Sequence, residues 1–209
     1  MKDPAPIRIF LADDHPSLRA GLAAILDSQP DFQVVAEAGT GREVVLKLPK
    51  NPADVIIIDL RMPDGDGIET IKALVQHDPS TRVLVLTTYD NEEDIFAALE
   101  AGARGYLLKD TTKEEIITAV REIYQGKRFL PQAIAPRLAD RMVRPGLTPR
   151  ELDVLRLVSR GRANKEIASA MFISEETVKT HMKSLFQKLD VHDRAEAVAV
   201  SMQRGLIRM

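Results

Sequence analysis

Short apolar runs recur through the first 126 residues, at Ile7–Ala12, Val34–Ala36, Val55–Ile58, Val83–Leu86 and Gly105–Leu108. Each has strand length and is rich in β-branched or large apolar side chains, which suits strands covered on both faces. Between them the spacing becomes helical. Leu18, Leu22, Ile25 and Leu26 fall on one helical face, as do Ile68, Ile71, Leu74 and Val75, and Ile116, Ile117, Val120 and Ile123. Thr112 and Glu115 can form a capping box for the last of these helices. The segment Glu43–Leu48 has a weaker helical pattern. Five strands alternating with five helices predict an α/β fold with a doubly wound five-stranded parallel sheet. Such sheets bind ligands beyond the carboxyl ends of their strands.

The pattern changes after residue 126. Residues 127–146 hold Pro131, Pro136, Pro145 and Gly146 among several arginines. They read as a linker with a short helix beginning at Pro131. From 147 onward there is no strand pattern. Thr148-Pro149-Arg150-Glu151 combines a cap, a proline at the first helical position and a box glutamate, and Gly161 suits the end of that helix. A short helix is predicted over about Asn164–Ala170, a third from Ser174 to Leu189, and a fourth starting at Asp193 with Glu196. The expected organisation is an α/β domain over 1–126, a linker over 127–146, and a smaller all-α domain of four helices over 147–209.

Charge separates the same regions. The 209 residues carry a net charge of −2. Residues 1–126 hold 13 Lys and Arg against 22 Asp and Glu; residues 127–146 hold 5 against 1; residues 147–209 hold 11 against 8. An acidic front and a basic back suggest two tasks, with nucleic acid a candidate partner for the back. The absence of cysteine excludes disulfides, thiolate metal sites and cysteine nucleophiles, and fits a reducing cytoplasm. No apolar run reaches membrane-spanning length, and the first one ends at once in Asp13-Asp14, so neither a membrane span nor a signal peptide is expected.

Polar residues sit at the carboxyl ends of the predicted strands: Asp13 and Asp14 after the first, Asp59 after the third, Thr87 after the fourth and Lys109 after the fifth. In a parallel sheet these ends share one edge, so the groups converge. Three carboxylates in one cleft repel one another, and a hard divalent cation such as Mg²⁺ relieves that repulsion. A carboxylate can also attack phosphorus to give an acyl phosphate, and the central Asp59 is the best placed to do so. Lys109 can pair with the phosphate and Thr87 can donate to it. Taken singly, Asp13 or Asp14 reads as a helix cap, Thr87 as a strand-end residue, Lys109 as a solvated lysine and His15 as a helix-start residue. The joint pattern is what carries the chemistry.

The segments Ala12-Asp13-Asp14-His15, Asp59-Leu60-Arg61-Met62-Pro63-Asp64-Gly65-Asp66-Gly67, Leu86-Thr87-Thr88 and Gly105-Tyr106-Leu107-Leu108-Lys109 resemble a receiver domain of two-component signalling over nearly all of residues 5–126. The resemblance implies a flavodoxin-like fold and phosphorylation of Asp59 by a sensor histidine kinase. It implies Mg²⁺ held by Asp14, Asp59 and the backbone carbonyl of Arg61, with Asp13 assisting through water. It implies a switch in which Thr87 moves toward the phosphate and Tyr106 rotates inward. Such a chain is not an enzyme acting on other substrates: the phosphoryl transfer is to its own Asp59, followed by autodephosphorylation. Many receivers have proline after the lysine, whereas Asp110 stands here, so no cis peptide is expected at that point.

In the third C-terminal helix, Val178, Met182, Leu185 and Leu189 make one apolar stripe, while Lys179, Thr180, Lys183 and Gln187 lie on another face. A short helix and a turn at Met171-Phe172-Ile173 precede it, which is helix-turn-helix spacing. Two lysines alone would be an ordinary solvated face. The segments Leu147–Leu155, Asn164–Ala168 and Ile173–His181 resemble a LuxR-type output domain, and the whole chain resembles NarL/FixJ response regulators. The resemblance implies base contacts in the major groove from Lys179, Thr180 and Lys183, and DNA-backbone contacts near Asn164, Lys165, Thr177 and His181. It implies a homodimer on activation, with Ala195, Val198, Ala199 and Met202 as the candidate interface or, equally, part of the domain's own core. RNA polymerase is a candidate partner. A phosphohydrolase of the haloacid dehalogenase type would need an acid where Arg61 stands, and an RNA-binding output would need more aromatics than Phe172 and Phe186. A receiver that works without phosphate is less favoured by the full acidic set.

Overall fold

The computed structural model describes residues 5–63, 65–132, 134, 138 and 146–207. They fall into two compact units dividing near residue 135. In the first, β1 (Ile7–Ala12), β2 (Phe32–Ala38), β3 (Val55–Ile58), β4 (Val83–Thr87) and β5 (Gly105–Leu108) form one parallel sheet in the order β2-β1-β3-β4-β5. Helices α1 (Pro16–Asp27), α2 (Gly41–Lys47), α3 (Gly67–His77) and α4 (Glu92–Glu100) connect the strands, and α5 (Lys113–Tyr124) follows β5. A two-residue antiparallel ribbon, Arg61–Met62 with Gly65–Asp66, lies between β3 and α3.

The central strand β3, Val-Ile-Ile-Ile, is buried at all four positions, which is why it has no polar face to read. Ile9, Leu11, Ile57, Leu84 and Leu107 of the strands join Leu22 and Leu26 of α1 and Ile117, Val120 and Ile123 of α5 in one core. Burying each such side chain contributes about 1.5–3 kcal/mol. The strand β2 is longer at both ends than the expected Val34–Ala36, and β4 extends to include Thr87.

The weak pattern at Glu43–Leu48 is a true helix. Thr40 Oγ1 accepts from the Glu43 N–H at 3.1 Å, and Lys47 pairs with Glu43 at 2.7 Å. Only Gly41 and Val44 of α2 are buried, while Val45 and Leu46 are exposed, so its apolar residues do not mark its inner face. At α5 the capping box is half formed. Thr112 accepts from the Glu115 N–H at 3.2 Å, but the Glu115 carboxylate accepts from the Thr111 hydroxyl instead. At Gly67, a Cβ would meet the Asp59 carbonyl oxygen at 2.5 Å, so only glycine lets α3 start this close to Asp59.

The second unit contains α6 (Pro149–Ser159), α7 (Asn164–Met171), α8 (Glu175–Leu189) and α9 (Arg194–Arg204). The capping box is complete at α6: the Thr148 N–H donates to Glu151 Oε2 at 2.7 Å and the Glu151 N–H to Thr148 Oγ1 at 3.3 Å. Gly161 follows α6 in the left-handed region, with φ of 76°. Ser174 caps α8 and Asp193 caps α9, each accepting from a backbone N–H three residues on. Val178, Met182, Leu185 and Leu189 form the buried stripe of α8. The short helix expected at Pro131, with Pro136 and Pro145, falls mostly outside the described residues, as does Asp64.

Candidate functional site

The register of the sheet brings the polar strand ends together. The Asp59 N–H donates to the Ala12 carbonyl at 2.8 Å, and the Lys109 N–H donates to the Thr87 carbonyl at 2.8 Å. Lys109 Nζ then lies 2.7 Å from Asp13 Oδ2 and 2.7 Å from Asp59 Oδ2. Asp13, Asp59 and Thr87 are buried, and the Lys109 side chain is only 8% exposed. Burial disfavours the Lys109 ammonium, but its hydrogen bonds and charge contacts with Asp13 and Asp59 outweigh this and raise its pKa above the ordinary lysine value.

Asp14 is half-buried, and the exposed His15 places Nδ1 2.8 Å from Asp14 Oδ1 and 3.2 Å from Asp13 Oδ1. His15 is also the cap residue of α1, although its side chain makes no capping bond. Carboxylate oxygens of Asp13, Asp14 and Asp59 and a ring nitrogen of His15 all lie within 4.8 Å of one another, a group able to hold a metal ion. The Arg61 N–H donates to Asp59 Oδ1 at 3.2 Å. The Thr87 hydroxyl is buried and has no hydrogen-bond partner among the described residues. Tyr106 is wholly buried, pointing inward, and its hydroxyl donates to the Tyr89 carbonyl at 2.7 Å. The Arg61 guanidinium lies 4.7 Å from the centre of the Tyr89 ring. Tyr89 carries no sequence signal of its own, because its part is played by a carbonyl and a ring contact.

In the second unit Lys165, Thr177, Lys179, Thr180 and Lys183 are exposed, while Asn164 and His181 are half-buried. Asn164, Lys179 and Lys183 border a groove of about 530 Å³ floored by Met182 and Phe186. The lysine face is less purely basic than its spacing suggests, since Lys179 Nζ lies 3.3 Å from Glu176 Oε2 and Thr180 bonds the Glu176 carbonyl. Thr177 is engaged in the cap, its hydroxyl 2.8 Å from Ser174 Oγ. On α9, Ala195 and Ala199 are exposed, whereas Val198 and Met202 pack partly into the unit's own core.

Sequence reasoning missed the second unit's buried ion. Glu151 accepts from Ser184 Oγ at 2.6 Å and Lys188 Nζ at 2.8 Å, as well as from Thr148, and so ties α6 to α8. Burial alone would raise its pKa, but these bonds hold it at about 2.

The response regulator receiver domain model matches residues 9–121, and the model of the bacterial regulatory proteins of the luxR family matches residues 145–201. The Bacillus subtilis transcriptional regulatory protein YhcZ, itself uncharacterized, is 41% identical, with 96% of this chain and 97% of that protein aligned. A structure of RcsB from Salmonella enterica serovar Typhimurium, bound to a promoter with the phosphomimetic BeF₃⁻, is similar at a TM-score of 0.73 and 30% identity. It covers 95% of this chain and 98% of its own. A structure of two RcsB dimers bound to two parallel DNAs gives a TM-score of 0.72 and 31% identity, covering 95% and 98%.

Proposed function

The chain belongs to the response regulators that join a receiver domain to a LuxR-family DNA-binding domain, and from that premise we propose how it works as a transcriptional regulator. The division is 1–126 for the receiver, 127–146 for the linker and 147–209 for the DNA-binding domain. A sensor histidine kinase presents a phosphohistidine at the acidic cleft. A carboxylate oxygen of Asp59 attacks its phosphorus, the P–N bond breaks, the imidazole leaves, and an acyl phosphate forms. Lys109 pairs with the phosphoryl oxygens, and Thr87 donates its free hydroxyl to them. Water later cleaves the acyl phosphate, restoring the carboxylate and releasing inorganic phosphate.

The carboxylate oxygens of Asp13, Asp14 and Asp59, gathered beside His15, are donors that suit Mg²⁺, and the backbone carbonyl of Arg61 would complete the set. A Mg²⁺ ion held there would supply positive charge against the phosphoryl oxygens. The observation that carries this reading is a buried lysine bridging two strand-end carboxylates, with a buried hydroxyl at the next strand end that has no partner among the described residues.

In the second unit, Lys179, Thr180 and Lys183 read base edges in the major groove, and Asn164, Lys165, Thr177 and His181 meet the DNA backbone. A homodimer, joined through the exposed Ala195 and Ala199 with Val198 and Met202 behind them, reads half-sites about 10 bp apart. The protein works in the cytoplasm, where RNA polymerase is its further partner. No helix among the described residues is long and apolar enough to cross a membrane.

The test is selection of duplexes from a random pool by the full chain, with and without acetyl phosphate and Mg²⁺. One inverted-repeat motif is expected, with occupancy changed at least tenfold by acetyl phosphate, and no such response in Asp59→Asn. A response that persists in Asp59→Asn contradicts the proposal.

A further inference from the structure

Residues 127–130 read from the sequence as the start of a linker, yet Phe129 among them pairs with the edge strand β5. The Phe129 N–H donates to the Arg104 carbonyl at 3.0 Å, and the Phe129 carbonyl accepts from the Tyr106 N–H at 3.2 Å, making a parallel bridge with Gly105. The connecting segment therefore occupies backbone groups that an edge strand would otherwise leave open. The Phe129 ring is half-buried and packs against the core of the first unit. Gly105 makes room for it: a Cβ there would stand 3.0 Å from the Phe129 carbonyl oxygen and 2.6 Å from Ile123 Cδ1.

Tyr106 is thus held at two points. Its hydroxyl bonds the Tyr89 carbonyl, two residues beyond Thr87, and its N–H bonds the residue from which the chain leaves toward the second unit. We infer that Phe129 is a positioning residue for Tyr106, and that the strand-like segment around it passes the state of the Asp59 site to the connecting chain. This rests on the phosphorylation proposed above. Recruiting the Thr87 hydroxyl to a phosphoryl group displaces the backbone that follows it, and with it the acceptor of the Tyr106 hydroxyl. The Tyr106 N–H then shifts against the Phe129 carbonyl that it bonds. The backbone pair with β5 either holds or opens, which makes it a discrete element that both ends can bias. Opening it frees about three residues, on the order of 10 Å of extended chain.

The test uses the full chain, unsubstituted and as Phe129→Ala and Phe129→Leu, labelled at Asp59 with acetyl phosphate. The probe is a duplex recovered by the unsubstituted chain from a random pool. Two readouts apply: amide exchange at Tyr106 and Phe129, and the ratio of duplex affinities with and without acetyl phosphate. Acetyl phosphate is expected to change exchange at both amides at least threefold. Phe129→Ala brings the affinity ratio at least threefold closer to one while labelling stays within twofold, and Phe129→Leu recovers at least half of the ratio. An unchanged ratio in Phe129→Ala, or exchange indifferent to acetyl phosphate, overturns the inference. So does a tenfold fall in labelling, which would make Phe129 a support of the acceptor site. If the unsubstituted chain takes no label, the acceptor assignment fails first and this inference falls with it.

Discussion

Glu151 in the second unit and Lys109 in the first are both charged, both buried and both bound to side chains from distant elements, yet they leave their surroundings in different conditions. Around Glu151 the polar groups are matched: Thr148 donates from its backbone, Ser184 from its hydroxyl and Lys188 from its ammonium. Around Lys109 they are not. One ammonium faces Asp13 and Asp59, Asp14 adds a third carboxylate, and the buried Thr87 hydroxyl has no partner among the described residues. A buried polar group left unpaired costs about 1–3 kcal/mol. The matched centre is a joint that fixes one helix against another. The unmatched centre keeps capacity for a cation and an oxyanion that the chain does not supply.

The largest effects should come from removing the central ion of each centre. Lys109→Ala leaves Asp13 and Asp59 buried without a cation, and should cost the first unit ~3–5 kcal/mol in metal-free urea unfolding. Added Mg²⁺ should return part of that loss, and labelling by acetyl phosphate should fall at least 100-fold. If Mg²⁺ returns nothing, the cleft is not a cation site.

Glu151→Gln should cost the second unit ~2–3 kcal/mol while leaving labelling of Asp59 intact. The pH dependence has a definite sign. The folded pKa of Glu151, about 2, lies below the ordinary glutamate value of 4.5. Its ionised form therefore adds stability above pH 4.5, on the order of 3 kcal/mol, which is lost as the pH falls from 4.5 toward 2. Unfolding of the second unit followed across that range should show the loss in the unsubstituted chain and not in Glu151→Gln.

Smaller effects sharpen the contrast. Lys179→Ala should weaken binding of a selected duplex by ~1–3 kcal/mol if it reaches a base, as read by titration against matched and mismatched duplexes. Thr87→Val replaces the unpartnered hydroxyl with a methyl group of similar shape. It should leave stability unchanged or raise it by up to ~1 kcal/mol, while abolishing the change in duplex affinity caused by acetyl phosphate. A clear loss of stability would mean that the hydroxyl is a structural partner after all.

The two centres were unequally legible in the sequence. Strand-end residues are visible because β3 is a run of Val and Ile ending in Asp59, and parallel topology alone brings Asp13, Thr87 and Lys109 to the same edge. Glu151 could be read only as the partner of Thr148, three residues away. Its bonds to Ser184 and Lys188 span 33 and 37 residues, and no local spacing announces them. α2 was faint for another reason: Val45 and Leu46 face out while Val44 faces in. In α4 no periodic set stands out, since two of its inward positions are Ile95 and the small Ala98. On α8, Glu176 lies outside the set of Lys179, Thr180, Lys183 and Gln187 yet reaches back to Lys179, a contact that the spacing does not announce.

The unmatched centre holds three carboxylates, of which one attacks phosphorus. The most direct measurement is to label the full chain with acetyl phosphate and Mg²⁺, reduce the acyl phosphate with borohydride, and locate the modified residue by peptide mass spectrometry. The expected result is modification at Asp59 alone, absent in Asp59→Asn and unaffected in Glu151→Gln. Modification at Asp13 or Asp14, or label retained in Asp59→Asn, would contradict it.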